Sequence, residues 1–262
     1  MFKNILVKYF VVPFLNFFRF LFLFLRAVAN YLSFRINTLI IYFEGGECEK
    51  FKDCVLLAKL LKNQPPNSDR YLEYPWVIKN IDLKRGRFLD VGSTMSVMFR
   101  DLLPAEVEVQ AIDLNDKIIM DPRIKFNVGD IRKTSFPENF FDCISCVSTL
   151  EHIGVPGRYH SDDDPQGDLK TMQEMKRILK VGGSLLITVP YGRKDVLPIN
   201  KLYNNERLGI LLEGYEILEK KFMKFNKEWG FWFEVDEVEA AQTEMLKDQW
   251  YAICFIKLAK KV

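Results

Sequence analysis

The sequence predicts an α/β fold built on a doubly wound, mostly parallel sheet. Compact β-rich runs recur from residue 87 onward: RFLDV (87–91), VEVQAID (107–113), IKFNV (124–128), FDCISCVS (141–148) and SLLITVP (184–190). Helical stretches fall among them at about 95–103 and 168–180, and strands that alternate with helices imply parallel pairing. Acids, glycines and hydroxyls stand just after the strands, where an open parallel sheet binds its ligands.

Composition bounds the rest. A chain of 262 residues suits one α/β domain with an extension, or two small domains. A net charge of +2 gives no global sign of nucleic-acid binding. Five cysteines at irregular spacing do not form a disulfide framework, which fits a reducing, cytosolic setting. Cys143 and Cys146 form a C-x-x-C inside a strand-like run. Residues three apart on a strand face opposite sides, so this pair cannot jointly grip a metal. With two histidines in the whole chain, no zinc site is expected.

The N-terminal stretch is a different material. Residues 1–43 carry Lys3, Lys8, Arg19, Arg26 and Arg35 and no acid, and they hold ten of the 22 phenylalanines. Residues 14–41 read as a helix starting after Pro13, with Arg19, Arg26, Asn30, Ser33 and Asn37 on one narrow face. A broad apolar face with a thin basic stripe suits a helix lying in a membrane interface. The same pattern also suits a helix docked on its own domain or on a second subunit. A membrane span is interrupted by Arg19 and Arg26. A signal peptide, hinted at by Ala27-Val28-Ala29, would have Arg19 inside its apolar core.

Residues 44–84 form a helical lead-in: an amphipathic stretch at 47–63, a Pro/Asn/Ser/Asp break at 64–69, then the short helical run RYLEYPWVIKNI. The main domain is expected over 85–262. After residue 190 it adds a helix near 204–213, a strand near 215–225, an aromatic patch around Trp229–Phe233 and a last strand, WYAICFIKLA.

Chemistry concentrates at the strand ends. Asp90-Val91-Gly92-Ser93 follows the first strand, and a glycine there lets backbone pass close to a ligand. Asp113 ends the second strand, where a carboxylate can accept hydrogen bonds from both hydroxyls of a ribose. Gly129-Asp130-Ile131 follows the third, placing an acid for an adenine amino group beside an apolar residue for the ring. Ser148-Thr149-Leu150-Glu151-His152 follows the fourth.

The series DVGS, AID, VGDI, FDCISCVSTLEH and LKVGGSLLITVP resembles the class I methyltransferases that use S-adenosylmethionine (SAM). The run GRYHSDDDPQGDLKTMQEMKRILKVGGSLLITVPYGR is similar to methyltransferase-like proteins of bacterial surface-polysaccharide and secondary-metabolite gene clusters. The resemblance implies a Rossmann-like sheet of seven strands in order 3-2-1-4-5-7-6, strand seven antiparallel, with SAM as cofactor. It assigns Asp90 and Gly92 to the methionine end, Asp113 to the ribose, Asp130 and Ile131 to the adenine, and Thr149 and Leu150 to the floor beneath. Thr94 and Ser96 depart from the glycine-rich pattern. A dinucleotide-binding reading needs G-x-G-x-x-G after the first strand, and the run from Gly92 fails at two of its three glycines.

Methyl transfer is an in-line displacement for which the protein mainly aligns the nucleophile. A hydroxyl or ammonium acceptor must also lose a proton. His152 is the expected base and Glu151 the second candidate. Some related enzymes bind Mg²⁺ with a Glu three residues before such a Glu-His pair; Ser148 stands there, so no metal is expected. The loop at 154–168 should overhang the acceptor, and Arg158, Tyr159, His160 and Asp162 are its candidate contacts for a polyhydroxyl or amino compound.

The expected function is methyl transfer to a polar small molecule or glycan, such as a surface-polysaccharide sugar, in the cytoplasm at the cytosolic membrane face. The alternatives are a non-catalytic SAM-binding or interaction module, and a lipid- or quinone-directed methyltransferase. The oligomeric state is not legible. One prediction follows from residues 1–43. The full chain should co-sediment with anionic liposomes, each basic residue near the surface adding about 1 kcal/mol. High salt should weaken this attachment only in part, because the Phe- and Leu-rich face is insensitive to salt. A chain starting near Gly45 should stay in the supernatant. Two soluble forms would refute membrane attachment, and an unfolded short form would favour docking.

Overall fold

In the computed structural model, which describes residues 68–261 apart from 94–95, 119–120, 158, 160, 229–230 and 246–250, all five β-rich runs form strands. They are β1 (Gly86–Val91), β2 (Val107–Asp113), β3 (Lys125–Val128), β4 (Phe141–Val147) and β5 (Leu179–Tyr191). Helices α1 (Arg70–Asn80), α2 (Ser96–Leu102) and α3 (Gly167–Ile178) accompany them. Next come α4 (Asn205–Leu211), β6 (Tyr215–Asn226), β7 (Phe231–Val235), α5 (Glu237–Ala241) and β8 (Ala252–Lys260). The expected helices at 14–41 and 47–63 lie outside the described residues. Among those described, no helix is long and apolar enough to cross a membrane.

The sheet runs β3-β2-β1-β4-β5-β8-β6-β7. β1 pairs in parallel with both β2 and β4, so strand order reverses on either side of it. β8 enters antiparallel between β5 and β6. This is the expected seven-stranded order with one strand added. The addition is β7, which covers the aromatic patch and pairs antiparallel with β6 from Phe222↔Val235 to Asn226↔Phe231. Its sequence, FWFEV, is four apolar residues and one acid, without the polar–apolar alternation that marks a strand.

Each face of the sheet carries its own core. On one, Leu89, Val91, Ile144, Cys146 and Ile187 pack with Met172, Met175 and Ile178 of α3. On the other, Phe88, Val109, Cys143 and Phe255 pack with Phe99 of α2 and with Tyr71, Tyr74, Trp76 and Val77 of α1. Cys143 and Cys146 therefore belong to opposite cores, as strand geometry requires, and burial pushes both thiols well above the ordinary cysteine range. α1 is held by its aromatic side: Trp76 stands edge-on to Phe255 with centroids 5.3 Å apart and donates Nε1–H to Glu219 Oε1 at 3.0 Å.

Phe88 is fully buried on the central strand and meets Phe99 in a T-shaped contact at 4.6 Å. Phe88→Ala should cost about 3–5 kcal/mol through lost burial and the cavity left behind. Denaturant unfolding of the two proteins measures it. A loss under about 1 kcal/mol would mean that this face is loosely packed.

Candidate functional site

Because strand order reverses at β1, the carboxyl ends of β1 and β4 part and leave a cleft. It spans 810 Å³, counting the space open to solvent, within the range of small-molecule sites. Its wall takes Gly92 from the end of β1, Asp113 from β2, Asp130 and Ile131 after β3, and Thr149 and His152 after β4. Six of the residues expected from sequence thus share one cavity with Tyr159 from the overhanging loop.

Gly92 has φ +84°, and a Cβ there would lie 2.4 Å from Thr149 Oγ1. Only a glycine lets the two strand ends approach this closely. Ser93 (φ +54°) and Ser148 (φ +41°) also hold left-handed backbone, so both strand ends turn sharply at the cleft. At Asp113, Oδ1 accepts the Asn115 backbone N–H at 2.9 Å. Its second oxygen makes no hydrogen bond to a described residue and faces a wall that includes Leu114, Ile112 and Ile131.

Asp130 reaches the cleft already engaged. Arg132 Nε donates to both its oxygens at 3.0 Å, and Nη2 donates to Oδ2 at 2.6 Å. Burial alone would raise its pKa, but the Arg132 hydrogen bonds outweigh that and hold the carboxyl below the usual range. Arg132 also pairs through Nη1 with Asp162 at 2.7 Å and Asp164 at 3.0 Å, which ties the loop after β4 to the end of β3. Asp162, expected as an acceptor contact, is a partner of Arg132 and stands outside the cleft wall. Arg158 and His160 lie outside the described residues.

Three more of the expected residues stand behind the wall. Asp90 is fully buried, with its carboxylate accepting from Ser96 Oγ at 2.7 Å and Ser145 Oγ at 3.0 Å, and it is absent from the cleft wall. Ser96 and Ser145 fix this acid from two sides. Leu150 is buried in the core one layer below the cleft. Glu151, also behind the wall, is only 3% exposed, and burial pushes its pKa up to about 8. A carboxyl protonated at neutral pH is a poor base. Its Oε1 lies 3.8 Å from His152 Nε2, too far for a hydrogen bond.

His152 ends a single 3₁₀ turn (Leu150–His152), with its ring 4.8 Å from that of Tyr159. It is the titratable imidazole of this end of the cleft. Sequence reading missed Arg70 and Arg132, which also line the cleft, and Glu73, which stands behind Arg70. The available signals were an Arg-Glu pair three apart in an otherwise aromatic helix, and an arginine two residues after Asp130.

A family model described as "Caenorhabditis protein of unknown function, DUF268" matches residues 107–258, more than half of the chain. The chain belongs to this family. The DUF268 segment runs from β2 into β8 and includes Asp113, Asp130, Thr149 and His152, whereas Arg70 and Gly92 precede it. The chain is also similar to the ubiquinone/menaquinone biosynthesis C-methyltransferase UbiE of Edwardsiella ictaluri, 29% identical over 139 residues, 48% of this chain and 50% of that protein. It thus spans about half the length of the relatives it matches.

Among solved structures, a SAM-dependent methyltransferase of Methanosarcina mazei aligns with a TM-score of 0.50 at 16% identity, over 71% of this chain and 97% of that one. Phosphoethanolamine N-methyltransferase 2 of Haemonchus contortus, solved with phosphomonomethylethanolamine and S-adenosylhomocysteine, aligns at 0.51 and 15%, over 81% and 58%. These likenesses are of fold: the chain has the class I SAM-dependent methyltransferase fold.

The protonation of Glu151 gives a measurable signature. Its pKa is raised from an ordinary 4.5 to about 8, so the folded state keeps a proton that the unfolded chain loses. This contribution to stability is fully present below about pH 4.5 and is lost as pH rises through about 8. Glu151→Gln cannot ionise, so its stability should fall less over that window in denaturant titrations at several pH values. Parallel curves would show that Glu151 ionises normally in the fold.

Proposed function

We propose that this chain transfers a methyl group from SAM to a polar acceptor, with His152 as the base. The observation that carries the reading is the shared cleft at the β1–β4 reversal, with nucleoside-holding groups at one end and an imidazole at the other. The residues present fit SAM. Asp113 offers an oxygen that no described residue takes, Leu114 and Ile131 offer apolar wall for a ring, and Gly92 offers close backbone. When bound, SAM supplies an activated sulfonium methyl. Asp113 holds the ribose, Gly92 and Thr149 shape the pocket for the amino-acid end, and Ile131 packs on the adenine. His152 accepts the proton that a hydroxyl or ammonium acceptor gives up as its nucleophilic atom is methylated. Tyr159, beside His152, is placed to contact that acceptor.

For the acceptor we favour a polar small molecule or glycan, because the loop after β4 brings the hydroxyls of Tyr159 and Ser161 to the cleft. Similarity to the quinone C-methyltransferases favours a second reading, a quinone or lipid acceptor. The basic, aromatic residues 1–43 suit either acceptor presented at a cytosolic membrane face.

Calorimetry with S-adenosylhomocysteine tests the core of the proposal. The chain should bind it, and Asp113→Ala should weaken binding by about 2–3 kcal/mol through loss of a charge-assisted contact. His152→Ala should leave that affinity nearly intact and lower turnover by about 10²–10⁴-fold. No binding by the wild type would remove the enzyme reading. Binding without turnover on sugar or quinone acceptors would favour a silent SAM-binding module.

A further inference from the structure

The cleft wall carries a charged group that the nucleoside pocket and His152 leave unused. Arg70, the first residue of α1, lines the cleft beside Ser148, Thr149 and His152. Its side chain is only 20% exposed. Nη1 donates to Glu73 Oε2 at 2.5 Å, whereas Nε and Nη2 make no hydrogen bond to a described residue. Glu73 is fully buried and fixed from the other side, its Oε1 accepting from Ser148 Oγ at 2.5 Å and Thr188 Oγ1 at 2.6 Å. The sequence thus builds a chain from β5 and the end of β4 through Glu73 to Arg70. Burial would lower the Arg70 pKa, but the Glu73 and Asp69 carboxylates outweigh it, so the guanidinium stays charged.

A largely desolvated guanidinium with unspent N–H groups on a cleft wall is costly unless a ligand uses them. Its planar fork matches a carboxylate in two parallel hydrogen bonds. Arg132, the other guanidinium of the wall, is spent on Asp130, Asp162 and Asp164, so Arg70 is the wall's guanidinium with N–H groups left to offer.

We propose that Arg70 binds a carboxylate at the β4 end of the cleft and that Glu73 is its positioning residue. The proposal rests on the methyltransferase reading for its two sources of that group: the amino-acid end of SAM, or an acid group on the acceptor. The two ask different things of Arg70. In the first case it sets cofactor affinity, and in the second it selects acidic acceptors.

Calorimetry on the full chain separates them, using S-adenosylhomocysteine, 5′-methylthioadenosine (which lacks the amino-acid end) and acetate. If the carboxylate is the cofactor's, Arg70→Gln weakens S-adenosylhomocysteine by at least about tenfold and leaves 5′-methylthioadenosine unchanged. If it is the acceptor's, both nucleosides bind Arg70→Gln normally, while acetate binds the wild-type nucleoside complex and not that of the variant. Glu73→Gln should reproduce a weaker form of the same pattern. Arg70→Lys, which keeps charge but not the fork, should show a partial loss and carries the test if Arg70→Gln fails to fold. Wild-type affinity of the variants for all three ligands overturns the proposal, and so does a parallel loss of both nucleosides. Acetate is also titrated into the free protein. If 5′-methylthioadenosine fails to bind even the wild type, the nucleoside reading fails separately, and a difference in acetate binding between wild type and Arg70→Gln still decides the role of Arg70.

Discussion

A buried carboxylate joins the three segments that meet where the sheet reverses. Asp90, on β1, accepts from Ser145 on the neighbouring β4 and from Ser96 at the first turn of α2. A carboxyl group at full burial is tolerable only when its oxygens are hydrogen-bonded, so the three segments are held to one arrangement. The cleft depends on that arrangement, since Gly92 and Thr149 are both two to four residues beyond the tie. The backbone of one can approach the side chain of the other only while β1 and β4 stay in register.

Around that fixed point the charged side chains of the wall fall into two groups. Carboxylates gather at the β2–β3 end, where Arg132 engages Asp130 and the loop acids at once. The guanidinium of Arg70 and the imidazole of His152 stand at the β4 end. Arg132 holds Asp130 through Nε and Nη2 and the loop acids Asp162 and Asp164 through Nη1, and so ties the end of β3 to the loop after β4.

How much of this was legible in the sequence depended on whether partners were close along the chain. Strand ends were legible because Gly92, Asp113, Asp130 and Thr149 each sit beside the run that positions them. The direction in which Asp90 points was not, because it is set by Ser96 and by Ser145, 55 residues away. Arg70 and Glu73 escaped for the same reason: the hydroxyls that fix Glu73 are 75 and 115 residues distant. Glu151 and His152 looked alike as neighbours in a motif, yet a 3₁₀ turn sends one into the core and the other to the cleft. The added strand β7 was seen only as aromatic residues, since its five residues do not alternate polar with apolar.

The place of β8 has a consequence for how the chain is made. It follows β6 and β7 in sequence but lies between β5 and β6 in space. Until residues 252–260 emerge, β5 and β6 each present an unpaired edge, and the β6–β7 hairpin has no neighbour to shield it. Joining the two halves of the sheet is therefore a late, long-range step in assembly. A ribosome stalled before residue 252 would hold a nascent chain with β1–β5 made and two sticky edges exposed, a species for chaperones to guard.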